Sequence, residues 1–278
     1  MTQSWDPDFA ARLPLFAPLG ACAGRLPAAR WPDCADLNAL AAAGHTPPVN
    51  AAGMPIRFVP QPRRPTAFEE KYEPRIFLRG EVLLRAANWH DLFNALVWLV
   101  FPRTKAALNR RHYEALCAQR AAGAVNRGPQ QDALTLFDEG GIVVAAANPD
   151  LAAMLRAHDW KALFWQRRAE ARAAMGYYLF GHALYEKALQ PYAGVTGRGV
   201  ILACAADFFA RPLAAQLEEI DLRLAGLLAA DGSFAATGEL APVPILGIPG
   251  WCAENEDASY YDNAAYFRPP PLRTRDRR

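Results

Sequence analysis

Residues 88–112 read NWHDLFNALVWLVFPRTKAALNRRH, and how this stretch folds sets the architecture around it. Leu92, Phe93, Leu96, Val97, Leu99 and Val100 recur at spacings of three and four, which predicts a helix over 88–101 with one broad apolar sector. Asn88 suits the N-cap, and Asp91 then falls at the third helical position, where a carboxylate can complete a capping box. The neighbouring sector carries His90, Asn94 and Trp98, and the helix holds no Lys, Arg or Glu. Solvent-facing sectors normally carry long charged side chains, so this polar sector is expected to be enclosed by protein.

Pro102 and Arg103 break the helix, and a second one is predicted over 104–120 with Lys105, Asn109 and His112 on one stripe. So tight a connection predicts an antiparallel helical hairpin, in which residues whose numbers have a constant sum lie at one level. Trp98 then faces Lys105, Asn94 faces Asn109, and His90 faces His112. Two imidazoles with a carboxylate nearby can serve as general acid and base, because imidazole titrates near neutral pH and an Asp can fix its tautomer. His90, Asp91 and His112 are therefore the candidate catalytic residues. Arg103 and Lys105 stand at a helix N-terminus, where cations are unfavourable unless an anion joins them. With Asn94 and Asn109 they are the candidate substrate-binding residues. The competing reading is a polar seam that only docks the two helices, since buried polar groups must find partners whether or not they catalyse.

The composition narrows the classes. A chain of 278 residues with 52% apolar and 11% aromatic content can bury a real core, which excludes overall disorder. A net charge of +2 provides no global field for nucleic acid or anionic lipid, and no nucleic-acid-binding motif is present, so neither partner is expected. The longest apolar run, Leu92 to Phe101, is far shorter than the ~20 residues of a membrane helix. Five scattered cysteines, with no C-x-x-C pair, argue against a disulfide framework and against a cysteine zinc site. They read as reduced thiols of a cytoplasmic protein. No metal ligand is assigned at this level, and the cofactor is left open. Leu19-Gly20-Ala21-Cys22 has the local pattern of a lipoprotein cleavage site, but the preceding WDPDFAARLPLFAP is acidic at its start and broken by proline, unlike a signal peptide.

The rest of the chain reads as a helix-rich α+β protein. Residues 1–75, rich in proline, are expected to form an irregular wrap with short helices that belongs to the same domain. The main domain is 76–270, and 271–278 a mobile basic tail. EVLL at 81–84 reads as a short strand or helical turn. Residues 121–131 read as a loop, followed by a β-hairpin in which LTLF and IVVAA flank the turn DEGG. A helix starts at Asn148-Pro149-Asp150 and another at Asp159, continuing through MGYYLFGHALYEKAL to Leu189. A buried strand within 196–209, a helix from Arg211 to Gly232 and an extended VPILGIPGW complete the order. The expected architecture is the central helical hairpin with further helices around a small sheet that contains the β-hairpin.

Outside the hairpin, Asp138 and Glu139 are explained by a turn, and His182 and Glu186, one helical turn apart, by an ion pair; as a metal signal H-x-x-x-E is weak. PGWCAENEDASYYDNAAYFRPP, residues 249–270, has five aromatics and is expected to pack on the body as a lid.

The strings NWHDLFNALVWLVFPRTKAALNRRH, LTLFDEGG, FGHALYEKAL and GIPGW, with the EN and YFRP that follow, occur in an order that resembles a bacterial family known as domain of unknown function 3025, over roughly residues 60–270. The resemblance implies a bacterial, soluble, single-domain protein and assigns no reaction. The residues themselves point to an anionic or phosphate-bearing small molecule, bound at 88–120 and turned over by His/Asp chemistry; a non-catalytic interaction protein is the alternative.

Overall fold

The computed structural model describes residues 4–44, 47–62, 67–123 and 126–270. The expected tail, 271–278, lies outside the described residues. The first stretch forms short 3-10 helices at 9–11 and 14–19, then α1 (Gly20–Ala23) and α2 (Cys34–Ala42), the last closed by a capping box between Asp33 and Asp36. Its prolines prevent long elements, yet Phe9, Leu15, Phe16 and Leu19 are fully buried, and Phe16 stacks on Phe93 and Tyr185 at 6.0 and 5.8 Å.

β1 (Arg57–Pro60) pairs in parallel with β2 (Glu81–Leu84), and α3 (Tyr72–Arg79) makes the crossover between them. Gly80 ends α3 at φ 68°, where a Cβ would lie 2.1 Å from the Pro55 carbonyl oxygen, so no other residue fits there.

α4 (Trp89–Val100) and α5 (Pro102–Ala121) follow, separated by Phe101 alone. Asn88 caps α4 by accepting from the Asp91 N–H at 3.0 Å. The Asp91 carboxylate does not complete the box; it receives the Arg85 N–H and guanidinium at 2.7–2.9 Å. The start of α5 is capped from far along the chain, by Asp221, whose carboxylate accepts from the N–H groups of Arg103 and Thr104 at 3.1 and 2.8 Å.

The predicted β-hairpin is replaced by a helix and a strand. Residues of the expected loop and of LTLF form α6 (Pro129–Gly140), and the strand β3 (Gly141–Ala146) begins directly after it. Pro129 at the first helical position and the Gln131 side chain on the Gly128 N–H start the helix; Ala133, Leu134 and Phe137 then bury one face at helical spacing, which outweighs the strand preference of a four-residue run.

After α7 (Pro149–Arg156), a π-helical turn at Ala162–Gln166 and α8 (Arg168–Ala174), the helix expected to run on to Leu189 is interrupted: Met175–Leu179 is a strand, β4, and α9 covers only His182–Ala188. Aromatic MGYYL fits a pleated surface, and β3 offers it an edge. With β5 (Thr196–Ala203) and β6 (Ala241–Pro244), the sheet order is β4-β3-β5-β6; β3 is antiparallel to β4 and parallel to β5, and every residue of β3 is buried. α10 (Leu213–Ala229) packs along α5. The fold is helix-rich α+β.

The segment 249–270 is docked. Trp251, Tyr261, Tyr266 and Phe267 are buried, and Tyr266 Oη donates to the Val195 carbonyl at 2.8 Å and accepts from the Leu246 N–H at 3.0 Å. No helix among the described residues is long and apolar enough to cross a membrane. All five cysteines are unpaired and partly buried. Thiol titration of the unfolded chain without reductant is therefore expected to count five thiols; three or fewer would show a disulfide that this fold does not contain.

Candidate functional site

Twelve polar or charged residues are buried among the described residues, and seven of them, Asp91, Asn94, Lys105, Asn109, His112, Gln131 and His182, line one cleft or the small space beneath it. The cleft has a volume of about 480 Å³. One wall is α3 and α5, with Tyr72, Glu73 and His112; the other is α4, α6 and the start of α9, with His90, Asp138, Glu139 and His182.

The two helices of the hairpin meet only near their turn. Lys105 Nζ lies 5.7 Å from the Trp98 ring centroid, the one rung that matches the expected register. Lys105 also donates to Asn94 Oδ1 at 2.9 Å and to Asp138 Oδ1 at 2.6 Å, so Asn94 faces Lys105 instead of Asn109. Asn109 donates to Glu73 at 2.6 Å, and His90 meets His182 instead of His112. The reason is that α5 turns away to pack on α10 and α3 while α4 packs on α9, which opens the cleft between the stripes. His90 and His112 therefore line the same cleft without meeting each other as a rung.

The expected anion holders have protein partners. Arg103 lies outside the cleft, 3.5 Å from Asp221, whose carboxylate already occupies the α5 N-terminus. Lys105 is neutralised by Asp138. The cation that lines the cleft with no carboxylate partner among the described residues is Arg127, at the start of α6. The segment 249–270 contributes nothing to the cleft, so it is no lid there; Tyr266 and Arg268 line a separate cavity.

β4 brings His182 to the cleft. Ile142 pairs with Leu179 at the end of the β3–β4 ladder, which sets the end of α6, carrying Glu139, beside the start of α9, carrying His182. Phe180 and Gly181 donate to the Gly141 carbonyl at 2.9 and 2.8 Å and lock the two chain ends together. His182 Nε2 then lies 3.6 Å from Glu139 Oε2 and 3.1 Å from His90 Nε2. Glu186, expected to pair with His182, reaches His90 Nδ1 at 3.0 Å. The three donor atoms of His90, Glu139 and His182 lie within 4.8 Å of one another, close enough to hold one metal ion.

Burial sets the electrostatics of the cleft. It drives the His182 imidazole down to about 4 even though Asp138 pulls the other way, and it raises the Glu139 carboxyl against the attraction of His90. Glu73 is raised by the same desolvation, opposed by His112 and by the Asn109 amide. Burial also raises Asp138, but Lys105 and then His182 outweigh it and hold that carboxyl below its ordinary value. Carboxyls of one cleft are thus pushed in opposite directions, the arrangement from which acid and base roles are made. Glu73 and Tyr72 carry no signal in the sequence because YEPR shows no periodicity; Asn94 donates to the Tyr72 hydroxyl and Asn109 to the Glu73 carboxylate, and these bonds bring them in.

These features define a class: a helix-rich α+β protein whose buried polar residues converge on one histidine- and carboxylate-lined cleft. The chain belongs to the family of proteins of unknown function DUF3025, which matches residues 56–271, a range that contains every cleft residue named above. Comparison with curated proteins and with solved structures gives no match.

Proposed function

We propose that the cleft is the active site of an enzyme that binds a small anionic molecule, phosphate-bearing substrates included, and turns it over by acid–base chemistry. The observation that carries this reading is the gathering of seven of the twelve buried polar residues around a cleft of about 480 Å³, a size suited to a small metabolite. Buried polar groups are costly unless satisfied, so a fold that concentrates them at one opening has a use for them there. Asn109 Oδ1 is buried with no hydrogen-bond partner among the described residues, an acceptor left open beneath the cleft. Glu73 and His112 act as the proton-transfer pair, His90 faces the same space, and Arg127 at the mouth takes the anion. Asp91, Asn94 and Lys105, with their hydrogen bonds satisfied by Arg85, Tyr72 and Asp138, hold the walls in place, which assigns to them the docking role of the alternative reading.

The test combines stability and ligand binding. Because the Glu73 pKa is raised in the folded state, its ionisation costs stability at pH values above its ordinary 4.5 and nothing below it. Glu73→Gln is therefore expected to stabilise the protein at pH 8 relative to wild type and to leave it unchanged at pH 4, as read by urea denaturation. In a thermal-shift screen of phosphorylated and carboxylated metabolites, a ligand at ~100 times its Kd raises the wild-type midpoint by about 5 °C. That shift is expected to disappear in His112→Ala and Arg127→Ala. If Glu73→Gln destabilises at pH 8 and every ligand shift survives both alanine variants, the cleft is a docking seam and no active site.

A further inference from the structure

We propose that His90, His182 and Glu139 bind a single divalent transition-metal ion, zinc or one of similar preference, in the cleft. This deepens the reading of the cleft as the working site and rests on it.

Three lines of geometry converge. First, the donors are of the right kind and spacing. Two imidazoles and one carboxylate with open space above them form the ligand set of metal sites that keep a position free for water or substrate. Metal–ligand bonds of about 2.0–2.1 Å at tetrahedral angles put neighbouring donor atoms about 3.3 Å apart. The observed separations, 3.1 Å between the two Nε2 atoms and 3.6 Å from His182 Nε2 to Glu139 Oε2, fall on either side of that value.

Second, the outer groups fix the ring that matters. A carboxylate oxygen only accepts, so Glu186 Oε2, 3.0 Å from His90 Nδ1, requires the proton on Nδ1 and leaves the lone pair of a neutral His90 at Nε2, facing inward. His182 presents its own Nε2 to the same point. Two ring nitrogens and a carboxylate turned toward one another offer three lone-pair donors to a cation placed between them. Among the described residues, the cationic groups within ion-pair distance of Glu139 and Glu186 are His182 and His90 alone, with no Lys or Arg.

Third, the scaffold is rigid where a metal needs it. Glu139 and His182 flank the Gly181–Gly141 backbone clamp, and His90 sits in the first turn of α4, whose N-cap is satisfied. Glu139 is the most exposed of the three and has the most room to adjust.

The full chain, stripped with a chelator and returned to chelator-free buffer, is titrated with Zn2+ by calorimetry and with Co2+ by visible absorption, circular dichroism confirming the fold of each variant. One equivalent of each metal is expected to bind. The Co2+ spectrum should be that of a nitrogen and oxygen ligand set, without the charge-transfer band of a cysteine thiolate. Glu139→Gln and His90→Ala, both at partly exposed positions, are expected to weaken Zn2+ binding at least tenfold with the fold intact. Failure to bind, binding unchanged in both variants, or a thiolate band would overturn the proposal and leave a direct His90–His182 hydrogen bond as the account of the contact. Such a failure is distinct from failure of the active-site reading, which is judged on metal-free protein through Glu73, His112 and Arg127.

Discussion

Lys105→Met is expected to destabilise the protein by about 3–5 kcal/mol at neutral pH, because it strands Asp138 as an uncompensated charge in the interior. Lys105 is 4% exposed and donates to both Asp138 and Asn94, while its ammonium lies over the Trp98 ring. Removing the ammonium leaves two acceptors without their donor and allows desolvation to raise Asp138. Asp138→Asn, made in the Lys105→Met background, is expected to recover a large part of the loss, since the stranded charge is then gone. The pH dependence has a definite sign. Asp138 is depressed in the folded state, so its contribution is present above its ordinary value of 3.8 and is lost as the pH falls through the lower folded value. The gap between wild type and Lys105→Met is therefore widest near neutrality and narrows in acid. Urea denaturation of the two singles and the double at pH 7 and pH 4 measures it; a loss below about 1 kcal/mol for Lys105→Met at pH 7 would contradict a buried ion pair here.

Gly181→Ala is the second large effect, and it joins fold to site. A Cβ at this position would lie 2.4 Å from the Gly141 nitrogen and 2.5 Å from the Glu139 carbonyl oxygen, and both are backbone atoms that no side-chain rotation can move. Forcing a methyl group into such a contact costs about 1–3 kcal/mol or more and must part the start of α9 from the end of α6. His182 and Glu139 ride on those two ends. The variant is thus expected to lower stability and to separate the His90, His182 and Glu139 donors together, visible as altered ring signals of both histidines by NMR. Gly226→Ala in α10, where a Cβ would meet nothing, is the control: it is expected to stabilise by about 0.5–1 kcal/mol through helix propensity. If Gly181→Ala behaves like Gly226→Ala, the clamp does not hold the site together.

What could be read directly was local. The periodicity of 88–101 and 104–120 and the Asn88 cap each depend on residues within a turn of one another, and both helices form; Pro102 and Arg103, expected to lie in the break, instead open α5, because proline suits the first helical position and Phe101 alone makes the turn. The same holds for β5 and α10. Errors arose where two local preferences competed and a distant partner decided. LTLF has strand chemistry but belongs to the apolar face of α6; MGYYL sits in a helical run but pairs with β3.

The candidate site divides along the same line. That the polar sector of α4 is enclosed followed from the absence of long charged side chains, and Asn94 and Trp98 are indeed buried, while His90 stays partly exposed in the cleft. Which groups those stripes face did not follow, because the twofold rung rule assumes two helices that stay together. Here α5 is drawn to α10, which supplies the Asp221 cap, and α4 to α9. His182, Glu139 and Glu73 come from segments 92, 49 and 17 residues away from His90 in the chain, and no spacing in the sequence links them. The sequence by itself determined α4, α5 and α10, the capacity for a core and the existence of an enclosed polar surface, since those depend on burial and on neighbours along the chain. Only the tertiary structure decided which imidazole meets which carboxylate, because that is set by β3–β4 register and the Gly181–Gly141 contact, long-range pairings whose partners lie far apart in sequence.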